Sequence, residues 1–126
     1  MKRNITLRAA IIIIFVVAVV SSISSHTLLG RRKKYLQEAV YHHGRILEET
    51  KNISDLDKCR GQATPPMSAR ALAKLDKSCR LRIVYHAELE KRYRFTANRP
   101  WQGIGFIAKD PGEDLLWEAF SDNPLD

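Results

Sequence analysis

The first 37 residues contain no acidic side chain, so their seven basic residues, Lys2, Arg3, Arg8, Arg31, Arg32, Lys33 and Lys34, stand uncompensated. Residues 38–126 hold 14 basic and 14 acidic residues. The net charge of +7 therefore belongs to the N-terminus, and it argues against a basic, nucleic-acid-binding body. Cysteine is scarce. Cys59 and Cys79 are the only two, and neither Cys-x-x-Cys nor His-x-x-x-His spacing occurs. His42 and His43 are neighbours, but adjacent helical residues point about 100° apart, so no metal site is expected. Gly103-Ile104-Gly105 lacks the third glycine of a dinucleotide loop, and no serine stands in a nucleophile elbow. With so few residues outside the N-terminal segment there is little room for a pocket. These absences predict a protein that is not an enzyme and has no cofactor and no small-molecule substrate.

What is present is a run of 22 residues without charge between Arg8 and Arg31. Its core is Ile11, Ile12, Ile13, Ile14, Phe15, Val16, Val17, Val19 and Val20. A helix over residues 9–29 is about 31 Å long, the thickness of a bilayer's hydrocarbon core. The second half is more polar, with Ser21, Ser22, Ser24, Ser25, His26 and Thr27, and this composition also fits a cleaved signal peptide. No Ala-x-Ala-like triplet closes the apolar run, and Arg31 to Lys34 follow it as a stop-transfer cluster would. A retained single-pass anchor is the leading reading. A cleaved signal and an organellar address are the alternatives. Basic residues flank both ends, so the positive-inside rule leaves the orientation nearly tied.

The body reads as mainly α. Residues 1–34 form the membrane-directing segment, and residues 35–126 form a small helical hairpin domain with a loop and a short C-terminal helix. Helices are expected at about 35–50, 66–95 and 111–120. In the first, Leu36, Val40, His43 and Leu47 recur at helical spacing and define the expected packing face, although Gly44 weakens the helix. Residues 51–67 lose this periodicity and collect Asn52, Ser54, Asp55, Asp57, Gly61, Pro65 and Pro66, the composition of a long loop. Thr64 or Ser68 caps the second helix. Leu72, Leu75, Cys79, Arg82, His86, Leu89 and Tyr93 form a stripe of about three heptads along it, as expected for antiparallel hairpin packing. Lys91 to Phe95 interleave bases with aromatics, but three bases also suit a helix C-terminus, and nucleic acid is not expected as a partner. The two glycines of Trp101 to Ile107 predict a turn or short strand. Asp110-Pro111-Gly112-Glu113 reads as a helix start.

An even cysteine count in a chain directed to a membrane favours a disulfide between Cys59 and Cys79, provided residues 51–67 fold back as a loop. That bond is the ground for expecting residues 35–126 on the non-cytoplasmic side. The expected function is a membrane-anchored interaction or scaffold subunit. Its partners are membrane lipid and a protein bound through the C-terminal region, where Trp101, Phe106, Ile107, Trp117 and Phe120 are the anchor candidates. For Trp101 and Phe106 the competing role is the domain's own core. The functional alternatives are a secreted binding or inhibitory module and an assembly factor of the mitochondrial inner membrane.

Overall fold

Leu7–Arg60 form one unbroken α-helix of 54 residues, α1, about 80 Å long in the computed structural model. The structure describes residues 7–62, 64 and 67–121, with the side chains of Trp117, Phe120 and Ser121 excepted. The leader residues Lys2 and Arg3 and the Pro65–Pro66 helix entrance lie outside the described residues. Ala69–Ala97 form α2 and Glu113–Ser121 form α3. The helix α2 turns back along the C-terminal half of α1, and α3 packs on α2. Among the described residues there is no strand.

The continuity of α1 corrects the expected loop at 51–67. Asn52, Ser54, Asp55 and Asp57 favour turns when nothing else acts on them. Here the acids are used within the helix, with Lys58 Nζ 2.7 Å from Asp55 and Arg60 3.2 Å from Asp57, each three residues apart. Ile53 and Leu56 continue the buried stripe, and Lys58 and Arg60 complement the helix dipole in the last turn. Gly61 ends the helix, its amide bonding back to the carbonyls of Asp57 and Lys58. Ser68 then caps α2, its Oγ accepting from the amide of Ala71 at 3.2 Å.

The hairpin is in heptad register. On α2 the expected stripe is the one that packs: Leu72, Cys79, His86 and Leu89 are buried, and Leu75, Arg82 and Tyr93 are half-buried. On α1 the packed stripe is Tyr35, Ala39, His42, Ile46, Glu49, Ile53 and Leu56, one residue out of frame from the face expected. Leu36, Val40 and Leu47 lie off the packed face, with Val40 67% and Leu47 59% exposed, while His43 at its edge reaches Glu90 of α2 at 3.2 Å. Arg82 and His86 decide the frame. A largely buried guanidinium and a buried imidazole need polar partners, which Glu49 and His42 supply, whereas the more apolar stripe offers no acid.

After α2 the chain turns at Asn98–Gln102 and runs back as an extended strap, residues 103–112. Its carbonyls have no neighbouring strand and are taken up by side chains on one face of α2. Arg92 donates to Phe106 O, Tyr85 to Ala108 O at 2.8 Å and Ser78 to Gly112 O at 2.6 Å. Gly105 adopts a φ of +76° that glycine alone takes readily. Gly112 lies so close to α2 that a Cβ would sit 2.8 Å from the Ser78 carbonyl and clash with the Arg82 stem. Asp110 caps the turn into α3 by accepting from the Gly112 amide, 2.9 Å.

Candidate functional site

The seam between α1 and α2 is polar at its centre, and this cluster is the most chemically loaded place in the hairpin. Glu49, 1% exposed, is its hub. Arg82 from α2 reaches it at 2.8 Å and Arg45 from the preceding turn at 3.5 Å. Asn52 donates to the same carboxylate at 3.3 Å. Arg82 also binds Asp110 of the strap at 3.0 Å, so one guanidinium ties α1, α2 and the strap together. Two helical turns nearer the membrane end, His42 and His86 face each other with their Nδ1 atoms 2.8 Å apart. Tyr93 stacks on His42 at 5.4 Å and meets Tyr35 at 6.2 Å.

Two Nδ1 atoms at hydrogen-bond distance share one proton, so one ring donates and the other accepts. Burial pushes both imidazoles below their ordinary value, and for His86 the His42 ring acts in the same direction. His86 Nε2 is buried without a partner, so full protonation of that ring would bury an unmatched N–H. Each group is engaged by another: carboxylate by guanidinium, imidazole by imidazole. The arrangement holds the two helices and the strap together.

The expected disulfide between Cys59 and Cys79 is not shown, and both are free thiols in the structure. The condition for the bond was a loop, and α1 instead runs straight through Cys59. Cys79 bonds to Glu49, ten residues earlier on α1 than Cys59, an axial offset of two to three turns, on the order of 10–15 Å. Both side chains line a cleft of about 280 Å³ with Leu56, Leu75 and Leu116. Burial, and then the hydrogen bond to Glu49, pushes the Cys79 thiol up to about 11. A raised folded-state value means the thiol contributes stability below its unfolded pKa, lost as pH rises from about 9 to about 11. Iodoacetamide at pH 8 should therefore modify half-buried Cys59 first and leave Cys79 largely unmodified. Denaturant alone should expose two reactive thiols. Labelling that requires a reductant contradicts this.

The structure scatters the aromatic candidates. Trp101, 65% exposed, sits at the turn after α2, while Phe106, 84% exposed, and Ile107, 37% exposed, lie on the strap. None of the three is core. The backbones of Trp117 and Phe120 lie in α3, and their side chains fall outside the described residues. Glu49, His42 and Asp110 were missed as a site. A signal for them existed, because a packing stripe on α2 containing Arg82 and His86 demands an acid and a polar ring opposite.

At the other end, α1 is long and apolar enough to cross a membrane, and none of the residues in its most apolar stretch is buried. Ile11 to Val17, Val19 and Val20 are all exposed. Each such side chain left in water forgoes about 1.5–3 kcal/mol, and together they outweigh the stability of an ordinary domain. The polar second half is partly self-satisfied: Ser25 Oγ donates to Ser21 O at 2.8 Å and Thr27 Oγ1 to Ile23 O at 2.6 Å. These features define a helical hairpin built on a membrane-length helix. No family profile, curated sequence or solved structure matches the chain.

Proposed function

We propose that this chain is a single-pass membrane-anchored, non-enzymatic interaction subunit whose protein partner packs along the outer stripe of α1. The observation that carries the reading is the frame shift in the hairpin. Because α2 takes the polar stripe, Leu36, Val40 and Leu47 are left exposed in a row on the face away from it. Leu29, Leu36 and Val40 line a shallow groove of about 430 Å³ flanked by Arg32 and Lys33. The row is continuous with the apolar span, so its occupant is a helix that leaves the same bilayer beside α1. Two parallel copies would bring Arg31 to Lys34 against their equals, with no acid before Glu38. Charge therefore favours a different membrane protein with acidic residues next to its span. Phe106 and Ile107 on the strap offer a second, smaller contact.

The internal hydroxyl bonds support a retained anchor over a cleaved signal, since they make the serine-rich half compatible with lipid. The free thiols remove the disulfide argument for a non-cytoplasmic domain.

A photo-reactive residue placed singly at positions 36, 40 and 47 in native membranes should give the same integral-membrane adduct. Yields at Tyr41 and Glu48, about 100° round the helix, should be several-fold lower. Equal yields at all five positions contradict the stripe. Adducts between two copies contradict the acidic partner.

A further inference from the structure

We infer that the turn following α2 and the basic end of the span together form a binding site for the headgroup of an anionic phospholipid. This rests on the membrane-anchor reading above. Counting from Ala9, Leu28 is the twentieth residue of the span, so hydrocarbon ends at about its level. The antiparallel α2 returns to that same level. Leu28, Leu29 and Arg32 of α1 line a cleft of about 280 Å³ with Ala97, Asn98, Pro100 and Trp101. Its lining combines apolar side chains, Leu28, Leu29, Pro100 and Trp101, with the donors of Arg32 and Asn98, the mixture that a headgroup and the first carbons of its acyl chains would meet.

Two further observations point to the occupant. Trp101 is 65% exposed and makes no hydrogen bond among the described residues, which is the placement of an indole at a membrane interface. Arg31, Arg32, Lys33 and Lys34 form no ion pair among the described residues, and Arg99 lies 4.8 Å over the Phe95 ring without an acid. Elsewhere in the hairpin most bases are matched, as with Arg45, Arg80, Arg82, Arg92 and Arg94, and the scattered Lys51, Lys77 and Lys91 are the exceptions among the described residues. Unmatched positive charge is thus concentrated where the chain meets the bilayer. Arg32, Arg99 and the Asn98 amide can donate to phosphate oxygens while Trp101 covers the glycerol region.

The test uses the full chain reconstituted into phosphatidylcholine vesicles carrying a minor fraction of lipid brominated on its acyl chains. The quenching that disappears in Trp101→Phe is assigned to Trp101. Brominated phosphatidylglycerol should quench it about fivefold more effectively than brominated phosphatidylcholine at the same mole fraction. The double variant Arg32→Gln, Arg99→Gln should float with the vesicles as the unmodified chain does, yet lose the preference. Equal quenching by the two lipids overturns the inference, as does a preference that survives the double variant. Soluble glycerophosphate that abolishes the difference assigns the cleft to a free phosphate and overturns the lipid. A chain that floats with no vesicle overturns the anchor reading, and the inference with it.

Discussion

Replacing Glu49 with alanine should lower the melting temperature of the hairpin by on the order of 15 °C or more, read by circular dichroism of the full chain in detergent. The carboxylate is buried, and Arg82, itself 17% exposed at the side chain, depends on it. Truncation leaves that guanidinium with Asp110 alone, Arg45 with Glu48 alone, Asn52 without its acceptor, and the Cys79 thiol without the carboxylate beside it. Removing one member of a buried pair costs about 3–5 kcal/mol, because the remaining charge stays desolvated. Removing both is a different experiment. Glu49→Leu with Arg82→Leu should recover much of the loss, since a packed apolar pair needs no desolvation of charge. A Glu49→Ala chain that melts within a few degrees of the unmodified one contradicts the role given to the seam.

Acidification should loosen the hairpin between neutral pH and about pH 5, before most carboxylates titrate. Both His42 and His86 are held below their ordinary value in the fold, so the neutral pair contributes stability above the unfolded pKa, and this is lost as pH falls through the folded values. From α1, Glu38 raises the His42 value and Arg45 lowers that of His86. From α2, Glu90 raises the first and Arg82 lowers the second, and Asp110 of the strap opposes the fall at His86. Burial prevails in both. Two protonated rings present two donors to each other at 2.8 Å, and the lost bond with its unmatched N–H costs about 1–3 kcal/mol, roughly 4–8 °C for each. The double variant His42→Leu, His86→Leu should show a flat melting temperature over this range. An unchanged slope in that variant contradicts the assignment.

How far the sequence reading reached depended on the kind of signal. The apolar run ending at Arg31, the α2 stripe from Leu72 to Tyr93 and the cap at Asp110 were legible because each is a local pattern, and Ser68, one of two caps the sequence offers with Thr64, is the one that bonds the first turn of α2. The frame of α1 was not. Leu36, Val40 and Leu47 make the better apolar stripe, and periodicity alone prefers them. The choice belongs to Arg82 and His86 on another helix, which need Glu49 and His42. Residues 51–60 read as loop because Asn, Ser and Asp favour turns, whereas in the fold Asp55 and Asp57 pair with bases three residues on and Ile53 and Leu56 pack on α2. The strap was illegible for a similar reason, since its carbonyls are satisfied by Ser78, Tyr85 and Arg92, three residues that carry no mark of that role.

The account stands on α1 remaining whole from the bilayer into the hairpin. The intact mass of the chain recovered from membranes after alkaline washing tests this directly. The prediction is a species that pellets with the membrane and still carries the apolar segment through Arg31. A soluble species shortened by about the first 24 residues, as cleavage near Ser22 or Ser24 would leave it, would contradict the anchor and the partner face built upon it.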